Sequence, residues 1–260
     1  MPNHASSTDG GRRVHAVQLS CDILDALRRI DGGGVTEIAE EVGVSKGAAH
    51  THLATLEANE LVVKRDGMYE LSLRFLDLGE YVREQTDIYP IVEEEIDRLA
   101  MESGEIAQFM IEEHGRGVYL YKAAGEDAVQ TASYVGDRKT LHCTALGKAI
   151  LAHLPEERVH EILDRHGLEA KTENTITDRD ELFDELANVT EQGLAFDREE
   201  IFKGLQCVAA PVIDQSGRVL GSASVTGPKS RMQGEYLETN VAEMVRHCSN
   251  VIEINAAQVE

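Results

Sequence analysis

Gly43-Val44-Ser45-Lys46-Gly47-Ala48-Ala49-His50-Thr51-His52-Leu53-Ala54-Thr55-Leu56-Glu57 decides how the first quarter of this chain folds. Gly43-Val44 makes a tight turn, and Ser45 carries the short side-chain oxygen favoured at a helix N-cap. From Lys46 to about Asn59 the spacing of Ala49, Leu53 and Leu56 gives one inward helical face. Upstream, Thr36 to Val42 reads as a short helix burying Ile38, Ala39 and Val42. Before it, an amphipathic helix from Val17 keeps Leu24, Leu27 and Ile30 on one side until Asp31-Gly32-Gly33-Gly34 ends it. Downstream, the apolar-rich runs Leu61–Arg65 and Met68–Leu71 flank Asp66-Gly67, the dipeptide that suits a two-residue hairpin. A short helix, a glycine turn, a longer helix with polar first turns and then a hairpin are the parts of a winged helix-turn-helix.

That order dictates which side chains could meet double-stranded DNA. The first turns of the longer helix reach base edges, so Ser45, Lys46, His50, Thr51 and His52 are the candidates for base or phosphate contact. Lys64 and Arg65, in the hairpin, are placed for phosphate or the minor groove. Ser45 reads equally well as a cap alone, and one of the two histidines as a solvent-facing side chain. Gly47 is a weak helix former, and close approach to the DNA backbone would account for it.

The net charge of −22 over 260 residues runs against a nucleic-acid binder until it is divided. Residues 1–75 carry 8 Lys+Arg and 11 Asp+Glu, a net of −3, whereas the remainder carries 17 and 36, a net of −19. Only 8 of the 25 basic residues are lysine. An acid-rich, lysine-poor chain fits work in concentrated salt, where the Debye length falls to about 3 Å near 1 M and like charges stop repelling at range. The polar segment 1–13 reads as a disordered tail without the apolar core of a signal peptide, and no run approaches the ~18 apolar residues of a membrane span. Cysteines at 21, 143, 207 and 248 have neither CxxC nor disulfide-scaffold spacing, which points to a reducing cytoplasm.

Length allows two domains. Residues 14–73 form the DNA-binding unit and 74–103 a helical linker, with Leu73, Leu76, Leu78 and Val82 at helical spacing and Pro90 interrupting. Ile91 to Met101 is again helical, with Val92, Ile96 and Leu99 inward and Glu93, Glu94 and Glu95 on a solvated face. Residues 104–258 then change pattern. Strands are expected at 106–112, 117–122 and 128–135, helices at 144–153, 155–166 and 178–192, and strands near 194, at 207–213 and at 219–225. Asp214-Gln215-Ser216-Gly217 is a hairpin turn, and a last helix runs from about Ser230. Strands interspersed with helices make this an α+β domain with a largely antiparallel sheet.

Two stretches in this half resemble one known family. Leu141-His142-Cys143-Thr144-Ala145-Leu146-Gly147-Lys148-Ala149-Ile150, and the run Ala195 to Val212 with Asp197, Glu199, Glu200, Gly204 and Cys207, are similar to the effector domain of IclR-type transcriptional regulators. The run Val44 to Glu57, with its Leu-Ala-Thr-Leu-Glu ending, resembles that family's recognition helix, departing from it at Gly47 and at Glu60. The resemblance implies a GAF- or PAS-like sensory fold over roughly 75–258, a small-molecule effector, and a homodimer or dimer of dimers. It further implies that Ala145 and Leu146 offer backbone N–H groups to a carboxylate, that Asp197 takes a hydrogen bond from a hydroxyl, and that Cys207, Ser224 and Thr226 line the pocket. Ser224 and Thr226 alternate along one strand and so share a face.

Plainer readings stand beside these. A cysteine inside an apolar strand is usually core. The ligand spacing of a structural zinc site is absent, and nothing calls for a cofactor. A thiol enzyme using Cys207, His142 and Asp197 is the rival from another class, and a DNA-binding regulator with a vestigial pocket is a third reading.

Overall fold

The computed structural model describes residues 13–258, so all but the last residue of the expected disordered tail lies outside the described residues. The chain divides into two compact units, 1–85 and 86–260.

In the first unit, α1 (His15–Arg29), α2 (Val35–Val42) and α3 (Lys46–Ala58) close a core around Leu19, Ile23, Leu27, Ile38, Leu53 and Leu56. Gly43 ends α2 at φ 76°, a left-handed conformation that glycine adopts without a Cβ penalty. β1 (Gly33–Gly34), β2 (Val62–Arg65) and β3 (Met68–Leu71) form a three-stranded antiparallel sheet in the order β1-β3-β2. Val62 and Tyr69 from this hairpin are buried against the helices, which makes it a wing with its tip at Asp66-Gly67. α4 (Arg74–Glu84) follows and buries none of its residues.

In the second unit, α5 (Tyr89–Ser103) leads into a six-stranded antiparallel sheet in the order β6-β5-β4-β9-β8-β7. Its strands are β4 (Ile106–Glu113), β5 (Arg116–Ala124), β6 (Arg138–Lys139), β7 (Ala195–Arg198), β8 (Leu205–Ile213) and β9 (Val219–Pro228). Alternation sends Ala107, Phe109, Val208, Ala210, Ala223 and Val225 to one face, where Val92, Ile96 and Leu99 of α5 and Val245 and Ile252 of α9 (Ala242–Ala256) cover them. The opposite face carries Met110, Cys207 and Ala209 beneath α6 (Ala145–Leu151), with α7 (Glu156–His166) and α8 (Arg179–Gln192) packed outside. The fold is therefore helix-turn-helix followed by α+β.

Four local expectations change. Residues 128–135 are not a strand; the edge strand is Arg138–Lys139. The intervening loop is tied down by Lys122, whose Nζ donates to Thr131 Oγ1 at 3.0 Å and to the Ser133 carbonyl at 2.6 Å. Pro90 sits in the first turn of α5, where its missing N–H has no helical partner to lose. Glu95 is buried rather than solvated, and Arg98 holds it at 2.9 Å. The last helix starts at Tyr236, with a π-helical segment Tyr236–Val241 ahead of α9.

Candidate functional site

In the helix-turn-helix unit the Ser45 hydroxyl caps α3, accepting from the Ala48 amide at 3.2 Å. Lys46, Gly47, His50 and Thr51 are exposed on the first turns, and Thr51 Oγ1 donates to the Gly47 carbonyl at 3.0 Å. His52 is separated from them. It is half-buried against α1, its Nδ1 sharing a hydrogen bond of 2.9 Å with Ser20 Oγ. In the wing, Lys64 lies over the Tyr69 ring at 5.1 Å and Arg65 pairs with Glu70 at 3.0 Å. Lys46 and Lys64 have no ion-pair partner among the described residues, so both stay available to phosphate.

The second candidate site is a cavity of about 40 Å³ between the sheet and the start of α6. Thr144, Ala145 and Leu146 form one wall and Asp197, Cys207 and Thr226 another. Thr144 Oγ1 accepts from the Gly147 amide at 3.0 Å, and the Lys148 amide bonds back to the Thr144 carbonyl at 2.9 Å. That leaves the N–H groups of Ala145 and Leu146 without an acceptor among the described residues, oriented as helix-start donors. Gly147 lets this turn form, because a Cβ there would collide with the Leu141 backbone. Ser222 Oγ donates to the Leu146 carbonyl at 3.0 Å and fixes α6 on β9.

Strand register assembles the other wall. Asp197 stands opposite Cys207, and Cys207 opposite Thr226, so three adjacent strands present side chains to one ledge. Ser224 lies on the same face of β9, fully buried beside the Cys207 thiol, its Oγ making no oxygen or nitrogen hydrogen bond among the described residues. Gln108 and Tyr119 extend the ledge from β4 and β5, and Thr131 and Ser133 close it, Gln108 Nε2 donating to Ser133 Oγ at 3.1 Å. These four escaped sequence reasoning. The alternation of Gln108 and Tyr119 was readable, but which face they share depends on the β4–β9 pairing of segments over a hundred residues apart, while Thr131 and Ser133 lie in the loop that Lys122 holds.

Electrostatics set the chemistry. Burial, and then the neighbouring Glu200 carboxylate, push the Asp197 carboxyl up to about 7, against the Glu200 amide that donates to its Oδ1 at 2.7 Å. Asp197 is thus near its midpoint at neutrality and can donate as well as accept. Burial alone works against the Lys148 ammonium, but Glu200 at 2.6 Å and Glu185 at 2.9 Å outweigh it and hold the lysine protonated. Burial pushes the Cys207 thiol up to about 12, and burial lowers the His142 imidazole below its ordinary value, its Nε2 on the Glu169 carbonyl at 3.1 Å. A thiol so far from ionisation is a lining group and a poor nucleophile. Among the described residues no group of three His, Cys, Asp or Glu side chains is placed to hold a metal ion.

Known proteins agree with this architecture. Residues 17–66 match the model of the IclR helix-turn-helix domain, and residues 80–254 that of the bacterial transcriptional regulator IclR C-terminal domain. The chain belongs to the IclR family of DNA-binding transcriptional regulators. It is 33% identical to the probable HTH-type transcriptional regulator ArcR of Halobacterium salinarum, over 98% of both chains. It is 30% identical to the regulator XynR of Escherichia coli, over 86% of this chain and 90% of that one. Among solved structures it resembles the Thermotoga maritima IclR with a TM-score of 0.74 and 28% identity, covering 93% of this chain and 97% of that one. An IclR homolog from Microbacterium hydrocarbonoxydans, complexed with 4-hydroxybenzoate, shares the fold with a TM-score of 0.78 at 20% identity, over 94% and 100% of the two chains. IclR-family proteins are regulators, and no helix among the described residues is long and apolar enough to cross a membrane.

Proposed function

We propose that this IclR-family chain is a cytoplasmic, effector-responsive regulator of metabolic genes, whose effector is a small hydroxy or keto acid. The cavity carries the reading: two helix-start amides without an acceptor among the described residues line the same cavity as a buried carboxyl pushed up to about 7. The effector carboxylate takes the Ala145 and Leu146 amides. Its hydroxyl or carbonyl meets Asp197, while Thr226 and Ser224 supply hydroxyls and Cys207 an apolar flank. A cavity of about 40 Å³ is far below the ~300 Å³ at which drug-sized pockets begin, which favours a short acid.

DNA contact falls to Ser45, Lys46, His50 and Thr51 in the major groove and to Lys64 and Arg65 in the wing, with His52 positioning α3 against α1. The exposed apolar side chains Leu76 and Tyr81 on α4 and Leu73 just before it, with Val17 on α1 and Val14 just before it, support association of two copies. A two-fold pair of winged helices then reads half-sites about 34–36 Å apart, or a multiple of that.

The test is sequencing-based mapping of genomic DNA bound by the full-length protein at working salt, followed by gel shifts with and without short acids. A specific site whose occupancy responds to a hydroxy or keto acid is expected. Unselective DNA binding that no such acid alters would defeat the reading.

A further inference from the structure

Beside the effector cavity lies an open cleft of about 280 Å³, lined by Arg116, Arg138, Lys139, Lys171, Thr140, Ile201 and Phe202. Four cations converge there in a region whose net charge from residue 76 onward is −19. Three of the cations share carboxylates: Arg138 with Glu113 at 3.0 Å, Lys139 with Asp137 at 2.8 Å, and Lys171 with Glu169 at 2.7 Å. Arg116 has no ion-pair or hydrogen-bond partner for its side chain among the described residues, although it is half-buried. Arg116 feels the Glu169 carboxylate only at range, so its half-buried guanidinium fork is open to an anion. The wall of this cleft is also the wall of the cavity, because Ile201 and Phe202 line both. Those residues belong to the loop between β7 and β8, where Glu199 adopts φ 67° and Gly204 φ 83°.

We propose that this cleft is an anion subsite, built to take a phosphate or second carboxylate of the effector whose first carboxylate sits at the start of α6. The small cavity accommodates one end of such a molecule, and Ile201 and Phe202 are the partition its chain must pass. The inference rests on the effector reading above and narrows it from short acids to dianionic ones.

Isothermal titration of full-length protein with two matched pairs tests it: glycerate against 3-phosphoglycerate, and lactate against malate. Inorganic phosphate, followed by thermal shift, reads the cleft without the cavity. The variants are Arg116→Gln/Lys171→Gln and, as a milder control for folding, Lys171→Gln alone. Because the second anionic group adds charge-assisted hydrogen bonds, the more highly charged acid of at least one pair is expected to bind about tenfold or more tighter than its partner. The double variant should erase that preference while leaving the monoanion's affinity unchanged. Equal affinity within both pairs overturns the subsite and leaves the cavity reading standing. If all four acids are silent, the cavity reading fails for them and phosphate decides the cleft. A phosphate-induced rise in midpoint that the double variant loses supports an anion site there, and no rise overturns it. A phosphate response without any dianion preference overturns the link to the effector.

Discussion

Asp197→Asn isolates the carboxyl at the centre of the cavity, and its effect is set by where that carboxyl titrates. The ordinary value is 3.8, and burial with Glu200 nearby moves it to about 7. At about 1.4 kcal/mol per pH unit, this displacement withholds about 4 kcal/mol from the folded state once Asp197 is ionised. The folded protein binds this proton more tightly than the unfolded chain does. Asp197 therefore opposes stability least below pH 4, and stability falls as pH rises from about 4 to 7, then levels off. Asparagine keeps the acceptor for the Glu200 amide and removes the ionisation. Urea unfolding of both proteins at fixed salt, followed by far-UV circular dichroism, should give similar stabilities at about pH 3.5, with Asp197→Asn already ahead by about 1.5 kcal/mol at pH 5. At pH 8 Asp197→Asn should be the more stable by about 2–4 kcal/mol, the range allowing for partial relaxation of the buried charge. Effector affinity should follow the same titration, weakening up to about tenfold per pH unit above 7 in the wild type and staying flat in the variant. Parallel stability curves from pH 5 to 8.5, within about 1 kcal/mol, would refute the burial argument.

Three further outcomes are expected. Lys148→Met should destabilise by about 3–5 kcal/mol because it strands Glu200 without its partner, and adding Glu200→Gln should recover part of the loss in the same urea assay. Gly147→Ala should destabilise by about 1–3 kcal/mol and weaken effector binding more than DNA binding, since the new methyl displaces the first turn of α6 from Leu141; an unchanged calorimetric affinity would detach that turn from the site. Leu76→Glu, at a position 70% exposed on α4, should leave folding by circular dichroism intact and shift sedimentation toward monomer, lowering affinity for a two-half-site DNA.

The winged helix was legible because its signals are local: Ser45 caps, Gly43 turns, and Ala49, Leu53 and Leu56 recur at helical spacing. The cavity was legible only in part. Asp197, Cys207 and Thr226 came from resemblance, and the register that brings them to one ledge is a property of three strands paired at long range. Gln108 and Tyr119 sit in strands that were correctly placed, yet alternation alone leaves open which face is the site. Lys148 and Glu200 are 52 positions apart, so no window reveals that they meet in the interior. Glu95 shows the converse failure. A run of three glutamates looks solvated, but the middle of a two-sided helix turns one of them inward, and Arg98 three residues on was the available signal. The segment 128–135, with Val129, Tyr134 and Val135 among its residues, reads as a strand by composition, yet Lys122 holds it as a loop through Thr131 and Ser133.

An acidic chain that binds DNA raises a question that charge bookkeeping answers. In the first unit Arg29 is taken by Glu41, Arg65 by Glu70 and Arg74 by Glu60, at 2.8, 3.0 and 3.9 Å. Lys46 and Lys64 are left on the DNA-facing elements, two per protomer and four in the proposed dimer. Each phosphate neutralised adds about −0.9 to the slope of log affinity against log salt, so four give about −3.6. A fourfold rise in salt then weakens binding by about 150-fold, whereas ten contacts would weaken it by more than 10⁵. On the proposed interface, few phosphate contacts would let binding persist in concentrated salt, and selectivity would then come from base edges met by His50, Thr51 and their neighbours. Gel shifts across a salt series on a mapped operator measure the slope directly. Lys64→Ala should reduce it by about 1.8 per dimer without changing which sequence is preferred. A wild-type slope steeper than about −7 would mean that Arg65 and the other paired arginines exchange their carboxylates for phosphate, and that the charge economy read from the free protein does not survive binding.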